Sequence, residues 1–245
     1  MTTADRILIA LATYNERENL PPLVDEIRLR VPKAELLVVD DNSPDGTGQW
    51  IAERAKGDPR IHCIHQAQKT GLGAAIIAAY RFAVQHDYTM VITLDADGSH
   101  NPVSILPMLA RTRVVPTGAP EVVIGSRYIA GGRTVGWPLY RRVMSRAVNI
   151  LARIMLGLPT RDCSGALRCV RVSLLQRVDL DAVSNKGFGF LEEILWRFKK
   201  AGAKFAEVPI VFTNRTRGTS KMTPREALSA LRILLRLGVR NWTGL

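Results

Sequence analysis

Cysteine is scarce in this chain, and its scarcity argues against small folds that are stabilised by zinc or by disulfide bonds. Three cysteines occur among 245 residues, at Cys63, Cys163 and Cys169, and none belongs to a Cys-x-x-Cys pair. This spacing argues against a zinc knuckle and against a disulfide framework. We expect reduced, structural cysteines, as is usual in the cytoplasm.

Long apolar runs and a leader segment are also missing from the sequence. No uncharged apolar stretch reaches the roughly 18 residues that indicate a membrane-spanning helix. Asp5 and Arg6 stand directly before the first apolar run, Ile7 to Ala12, which is too short for a signal peptide. We therefore expect neither a membrane-spanning helix nor a cleaved leader. We expect a cytoplasmic location.

Acidic residues are outnumbered by basic ones, 22 against 34, which gives a formal net charge of +12. Such a surface favours anionic partners, namely nucleic acid, phosphorylated metabolites or an anionic membrane. Aromatic residues make up only 6% of the chain, the basic residues are dispersed, and no base-stacking pattern is present. The net charge makes a basic nucleic-acid-binding protein the rival hypothesis from another class. The composition and the dispersed basic residues argue against it, and we expect no nucleic-acid partner.

Short aliphatic runs alternate with helix-like stretches through the first half of the chain. This alternation predicts an α/β fold with an open, mostly parallel sheet, flanked by helices and binding its ligand at the carboxyl ends of the strands. The predicted strands are 7–12, 36–39, 61–65, 90–94, 122–124 and, later, 205–212. The predicted helices are 18–30, 48–56, 74–85, 103–113, 141–156, 187–200 and 224–239.

Polar segments follow four of the predicted strands, at residues 13–16, 40–45, 95–98 and 125–128. Parallel strands bring such segments to one edge of a sheet, where they form one site. Asp95 and Asp97 can share a hard cation such as Mg²⁺ or Mn²⁺, which then bridges a diphosphate. Asp41 can accept a hydrogen bond from a ribose or a base. Each of these carboxylates is also compatible with an ordinary turn.

Two other polar features carry weaker signals. The segment Lys69-Thr70-Gly71-Leu72-Gly73 lacks the Walker spacing, and we interpret it as a helix start, with diphosphate binding as the alternative. His100 is interpreted as a loop residue. Basic residues in turn-rich segments suit phosphate oxygens, although for any one of them a solvated basic surface is the simpler interpretation. These residues are Arg127, Arg141, Arg215, Arg217 and Lys221.

An ordered set of motifs runs from residue 13 to residue 221. It comprises Thr13 to Leu20, Val38 to Thr47, Asp95-Ala96-Asp97, Gly125-Ser126-Arg127-Tyr128, Gly131-Gly132, Trp137, Tyr140-Arg141, Asp162 with Ser164-Gly165, Glu193, and Gly218 with Ser220-Lys221. This set resembles family 2 glycosyltransferases of the GT-A fold, and more closely the dolichyl-phosphate (polyprenyl-phosphate) mannose synthases. The resemblance covers nearly the whole chain.

The resemblance implies an inverting transfer of mannose from GDP-mannose to a polyprenyl (dolichyl) phosphate, with Mg²⁺ or Mn²⁺ as cofactor. A phosphate acceptor is already ionised near neutral pH, so this reaction does not depend on a general base. The alternative within the class is transfer from a UDP-sugar to undecaprenyl phosphate. The resemblance leaves any partner subunit unknown.

The resemblance also assigns roles to individual residues. The guanosine nucleotide is expected against Tyr14, Glu16, Val39, Asp41 and Ala12, the last standing where the family usually has proline. The diphosphate and metal are expected against Asp95, Ala96 and Asp97. Ser99 is a further metal-ligand candidate, although a hydroxyl is a weaker ligand for a hard cation than a carboxylate. Donor or acceptor phosphate is expected at Arg127, Arg215, Lys221 and, more weakly, Arg141.

Two helices of the second half are amphipathic. On residues 141–156, the side chains of Arg142, Arg146, Asn149 and Arg153 form one predicted polar stripe, and arginines recur every four residues in the last helix. We expect a catalytic GT-A domain over residues 1–222 and a C-terminal amphipathic helix over 223–245. Packing on the protein's own core and peripheral contact with a membrane surface are both compatible with these helices.

Overall fold

The computed structural model describes residues 5–113, 118–184, 187, 189–215 and 224–243. The strands are β1 (Ile7–Thr13), β2 (Glu35–Asp40), β3 (Ile61–His65), β4 (Met90–Asp95), β5 (Val122–Ser126), β6 (Arg133–Val135), β7 (Arg168–Arg171), β8 (Phe205–Pro209) and β9 (Val211–Thr213). The helices are α1 (Leu20–Arg30), α2 (Thr47–Gly57), α3 (Leu72–Gln85), α4 (Ile105–Arg113), α5 (Leu139–Leu156), α6 (Val172–Leu175), α7 (Phe190–Lys200) and α8 (Pro224–Thr243).

In the described part of the chain, seven strands form the central sheet in the order β3-β2-β1-β4-β7-β5-β8. All neighbours pair in parallel except β7, which runs antiparallel to both β4 and β5. Strands β1, β2 and β4 are almost entirely buried, which their continuous aliphatic sequences require, because helices cover both faces of a parallel sheet. The predicted mostly parallel α/β fold is confirmed.

Two features of the sheet differ from the sequence-based expectation. Strand β7 was not predicted, since Arg168-Cys-Val-Arg171 is short and begins and ends with arginine. The single strand expected over 205–212 is divided between two sheets. Pro209, which has no N–H to donate, ends β8 in the main sheet, and β9 then pairs in parallel with β6.

Helices α5 and α8 pack together on one side of the molecule. A Cβ atom added at Gly238 of α8 would meet the Met155 side chain of α5, so the two helices are in close contact. Leu234 and Leu237 of α8 are buried in the core. Other apolar side chains of both helices are exposed. No helix within the described ranges is both long enough and apolar enough to cross a membrane.

Candidate active site

The carboxyl ends of β1, β2 and β4 surround a pocket. Eight of the residues expected at the nucleotide and diphosphate line it, namely Ala12, Tyr14, Glu16, Asp41, Asp95, Ala96, Asp97 and Arg215. Thr13, Lys69, Gly71, Leu72 and Ala75 complete the wall. Val39 lies beside the pocket, lining a small adjoining cavity with Ala12 and Asp95. The edge of the sheet that binds ligands in open α/β folds therefore brings together most of the predicted donor-site residues.

The loops after β1 and β2 are held together by hydrogen bonds between main chain and side chain. The N–H of Glu16 donates to Thr47 Oγ1 at 3.0 Å, and the N–H of Arg17 donates to Asp45 Oδ2 at 3.1 Å. Asp45 also accepts from the N–H of Thr47 at 2.9 Å, at the start of α2. These bonds fix the loop that carries Tyr14 and Glu16 against the neighbouring strand exit.

Asp41 holds a second wall of the pocket in place. Its carboxylate accepts from Thr70 N at 2.7 Å, Thr70 Oγ1 at 2.8 Å and Gly71 N at 2.8 Å. Gly71 has a φ of +98°, a conformation that favours glycine, and α3 begins directly after it. The helix start predicted over residues 69–73 is therefore present, and Asp41 fixes it next to the pocket.

Lys69 lies over the ring of Tyr14, with its Nζ 3.8 Å from the ring centroid. This distance is within the range of a cation–π contact. Both residues line the pocket, so the lysine adds a positive charge to its wall. The segment Lys69 to Gly73 indicates phosphate binding only weakly, because it lacks the spacing of a known phosphate loop.

The segment Asp95-Ala96-Asp97 contributes two carboxylates to the lining of the pocket. Asp95 is the last residue of β4, and Asp97 lies in the turn that follows. Asp97 Oδ1 accepts from the N–H of Ser99 at 3.0 Å and from its hydroxyl at 2.5 Å. Asp97 Oδ2 forms an ion pair with Arg215 at 3.0 Å. Ser99 therefore contacts the candidate metal carboxylate directly.

His100 is buried behind Asp95 and packs edge-on against Phe212. Its Nε2 lies 3.3 Å from Asp95 Oδ2, without the alignment of a good hydrogen bond. Burial alone would raise the pKa of Asp95, but the contact with His100 and the charges of Arg215 and Arg127 hold it below its ordinary value. Asp95 is therefore an anion at neutral pH.

The donor set of this segment fits a hard divalent cation. It offers two carboxylates and one hydroxyl, all oxygen ligands. Within the described part of the chain, no group of three or more His, Cys, Asp and Glu residues is placed to enclose a metal ion. Such a site suits a cation like Mg²⁺, which takes one or two carboxylates and completes its shell with water and substrate phosphates.

Arg127 follows β5 but does not line this pocket. Its side chain is 6% exposed, and Nε and Nη2 each donate to the Asp162 carboxylate at 2.7 Å. Nη2 also donates to Ser164 Oγ at 2.9 Å. Burial would lower the pKa of Arg127, but the carboxylate of Asp162 raises it above its ordinary value. The arginine is therefore a fixed positive charge, and its field reaches Asp95.

The other predicted basic residues divide between the pocket and its surroundings. Arg215 lies in the pocket wall. The Arg141 guanidinium lies 4.2 Å from the centroid of the Trp137 ring and donates to Asn214 Oδ1 at 3.0 Å, outside the pocket lining. Lys221 and Arg217 lie outside the described residues. The four strand exits thus form one pocket and, beside it, a cluster around Arg127.

Sequence comparison finds close relatives along almost the whole chain. The family model for glycosyl transferase family 2 matches residues 8–179. Undecaprenyl-phosphate mannosyltransferase of Micrococcus luteus is 40% identical over 241 residues, which cover 98% of this chain and 97% of that protein. Polyprenol monophosphomannose synthase of Mycolicibacterium smegmatis is 40% identical over 237 residues, covering 96% and 88% of the two chains.

Solved structures share the fold at lower sequence identity. Glucosyl-3-phosphoglycerate synthase from Mycobacterium tuberculosis, in complex with Mn²⁺, UDP and phosphoglyceric acid, matches with a TM-score of 0.69 at 18% identity, over 97% of this chain and 78% of that chain. Mannosyltransferase PcManGT from Pyrobaculum calidifontis, in complex with GDP-Man and Mn²⁺, matches with a TM-score of 0.58 at 18% identity, over 99% and 75%. These matches confirm the predicted GT-A fold.

Proposed function

Since the chain belongs to glycosyl transferase family 2, we propose that it transfers mannose from GDP-mannose to a polyprenyl phosphate with inversion at the anomeric carbon. The observation that carries this proposal is the strand-end pocket, in which Tyr14, Glu16 and Asp41 lie beside the carboxylates of Asp95 and Asp97. A nucleoside diphosphate needs both a polar nucleoside wall and a site of charge neutralisation. The names of the two 40% identical relatives support mannose and a polyprenyl phosphate.

In the proposed reaction, a phosphate oxygen of the acceptor attacks the anomeric carbon of the bound sugar. The bond from that carbon to the β-phosphate oxygen breaks, and GDP leaves with the electron pair. The attacking oxygen is already ionised near neutral pH, so the protein needs no side chain to remove a proton. Catalysis then depends on holding the two substrates in line and on stabilising the charge of the leaving diphosphate.

Asp95 and Asp97 would hold a divalent metal ion, with Ser99 beside them. When bound, the ion neutralises charge on the diphosphate. The side chain of Ser99 donates to Asp97 and so orients its carboxylate. The Mn²⁺ in the two structural neighbours supports a divalent cation, and either Mg²⁺ or Mn²⁺ suits oxygen ligands.

Arginines around the pocket would bind the donor and acceptor phosphates. Arg215 lines the pocket at Asp97. Arg127 uses Nε and Nη2 to contact Asp162, and no acceptor among the described residues contacts its Nη1. That nitrogen is therefore suited to a phosphate oxygen. Arg141 and Lys221 are further candidates, the latter by its resemblance to the family motif alone.

Helices α5 and α8 would hold the enzyme at a membrane surface, where a polyprenyl phosphate resides. On both helices, large apolar side chains are exposed next to exposed arginines, which is the composition of an interfacial helix. Each basic residue near an anionic surface contributes about 1 kcal/mol. The exposed large apolar residues are Leu139, Tyr140, Val143, Met144, Val148, Ile150 and Ile154 on α5, and Leu231, Leu235, Val239 and Trp242 on α8.

A donor screen tests the proposed function. Purified protein is incubated with a short polyprenyl phosphate, Mg²⁺ or Mn²⁺, and either GDP-mannose or UDP-glucose, and nucleotide release and lipid product are measured. We expect GDP release with formation of mannosyl lipid, abolished by EDTA and restored by either metal. Asp97→Ala should lower the rate by at least about 100-fold, while the exposed Asp25→Ala should not change it. Transfer from UDP-glucose alone would contradict the donor assignment, and an active Asp97→Ala enzyme would contradict the metal site.

A further inference from the structure

Arg127 is held in place by a loop of the second half of the chain. Asp162 accepts from Nε, from Nη2 and from the main-chain N–H of Arg127 at 2.7–2.9 Å. Ser164 Oγ accepts from Nη2 at 2.9 Å. The position of the guanidinium therefore depends on the conformation of residues 162–164, because this loop accepts every described hydrogen bond that the guanidinium donates.

This loop is fixed by one side chain of helix α5. Asn149 Oδ1 accepts from Cys163 N at 2.6 Å and from Ser164 N at 3.2 Å. Its Nδ2 donates to Ser164 Oγ at 3.0 Å and to Ser145 O at 2.7 Å. These four bonds use the whole hydrogen-bonding capacity of an asparagine side chain. Ser164 Oγ receives a bond from Asn149 and another from Arg127, so it links the two residues directly.

The burial of Asn149 departs from the sequence pattern of α5. The spacing predicts that it shares a polar stripe with Arg142, Arg146 and Arg153, yet it is 2% exposed while those three arginines are exposed. Buried polar side chains are costly unless their hydrogen bonds are satisfied, and this one is satisfied by the loop that holds Arg127. The side of α5 that carries Asn149 is thus linked to Arg127 by hydrogen bonds, while other parts of the helix surface are exposed.

We infer that Asn149 is a positioning residue for Arg127, and that through it α5 forms part of the scaffold of the phosphate-binding cluster. The inference rests on the proposed function, in which Arg127 binds a phosphate and α5 lies at the membrane surface. Docking of the outer side of α5 then sets the place of the arginine relative to a lipid phosphate. In this inference Asn149 acts only through Arg127 and needs no contact with either substrate, in keeping with its burial.

A double-mutant cycle tests this inference. The variants are Asn149→Ala, Arg127→Lys and their combination, assayed with GDP-mannose and a short polyprenyl phosphate. We expect Asn149→Ala to lower kcat by about 10- to 100-fold, as small misplacements of a binding group do. The KM for GDP-mannose should change less than about threefold, because neither residue lines the nucleotide pocket. In the Arg127→Lys background, Asn149→Ala should have no further effect beyond about threefold, since the two residues act as one unit.

Asn241 of α8 supplies a matched control. It is also an asparagine that links helices, accepting from Trp196 Nε1 at 3.2 Å and donating to Met155 O at 3.4 Å, but it does not reach the Arg127 cluster. We expect Asn241→Ala to change kcat less than about threefold and to combine additively with Arg127→Lys. A loss of kcat in Asn241→Ala as large as that in Asn149→Ala would show a general effect of helix loosening and overturn the inference.

A milder variant covers the case in which Asn149→Ala does not fold. Ser164→Ala removes only the hydroxyl that Asn149 and Arg127 share, and leaves the bonds of Asn149 to the main chain. We expect kcat to fall by about 3- to 10-fold, again without additivity toward Arg127→Lys. Independent losses, multiplying in the double variant, would overturn the inference.

A readout without turnover separates this inference from the proposed function. The Nε–H of Arg127 is bonded to a buried carboxylate, so its hydrogen exchange, followed by NMR, should be slow in the parent protein. We expect exchange to accelerate at least about tenfold in Asn149→Ala and Ser164→Ala, and to stay unchanged in Asn241→Ala. Unchanged exchange in the first two variants overturns the inference, whatever the activity. Absence of transfer in a parent protein whose Arg127 responds as expected would instead contradict the proposed function.

Discussion

Asp162→Asn removes the negative charge that faces Arg127 while keeping the volume of the side chain. Asp162 is fully buried and the Arg127 side chain is 6% exposed, so water cannot replace the lost partner. The amide nitrogen of the new asparagine would also face an N–H of the guanidinium, donor against donor. Breaking one side of a buried pair costs about 3–5 kcal/mol. We expect the free energy of unfolding at pH 7, measured by urea denaturation, to fall by about that amount.

An exposed ion pair provides the control for this measurement. Asp25 and Arg54 lie 2.8 Å apart, with side chains 65% and 49% exposed. Pairs of this kind contribute about 0–1 kcal/mol, so Asp25→Asn should leave the unfolding free energy nearly unchanged. If Asp162→Asn cost no more than Asp25→Asn, Arg127 would not depend on its carboxylate partner. The loop at residues 162–164 would then not be what fixes the charge of Arg127.

Two further changes have expected outcomes. Burial raises the pKa of Glu192 from its ordinary 4.5 to about 7, so the folded protein keeps a proton that the unfolded chain releases, and stability is lost as the pH rises from about 4.5 through 7. A rise of the pKa from 4.5 to about 7, at about 1.4 kcal/mol per pKa unit, corresponds to a loss of about 3–4 kcal/mol, most of which falls between pH 5 and pH 8. Glu192→Gln should remove this loss when unfolding free energies are measured in urea at those two pH values, and an equal pH dependence in both proteins would contradict it. Asp41→Asn places an amide N–H against the N–H of Gly71, so we expect the KM for the sugar nucleotide to rise by about tenfold with little change in kcat. An unchanged KM would show that Thr70 and Gly71 do not need this carboxylate as an anchor.

The sequence predicts the first half of the fold closely, because its strands are continuous aliphatic runs that only a covered parallel sheet can bury. Strand β7 could not be predicted, because it is short and has an arginine at each end instead of a continuous aliphatic sequence. Arg168 is 1% exposed, with Nε donating to Gly165 O at 2.9 Å and Nη2 to Cys163 O at 2.8 Å. Its burial depends on carbonyl groups of the 162–165 loop, and no periodicity of the sequence records such partners. Pro209 marks the division between β8 and β9, but only the pairing of β9 with β6 shows where the chain goes next.

The candidate site divides in the same way. Residues at strand ends, such as Tyr14, Asp41 and Asp97, could be placed in one pocket because parallel strands bring their carboxyl ends to one edge. Lys69 and Asn149 could not be placed, since each acts across a large sequence separation. Lys69 reaches the pocket through the Asp41 anchor, and Asn149 reaches Arg127 through Ser164. Contacts of this kind depend on tertiary structure, and a single sequence carries only the residue types that make them.

The antiparallel strand β7 explains why the two halves of the site differ in character. On the parallel side, loops after β1, β2 and β4 open at one edge and leave a cavity for a ligand. Between β4 and β5, β7 runs in the opposite direction, so the segment that precedes it, residues 162–167, lies at that same edge. Asp162 is thereby buried beside the exit of β5, where it pairs with Arg127. A fixed cation next to the pocket in which we propose that the diphosphate binds follows from this reversal of one strand. The loop that holds the cation is the one that Asn149 fastens to α5.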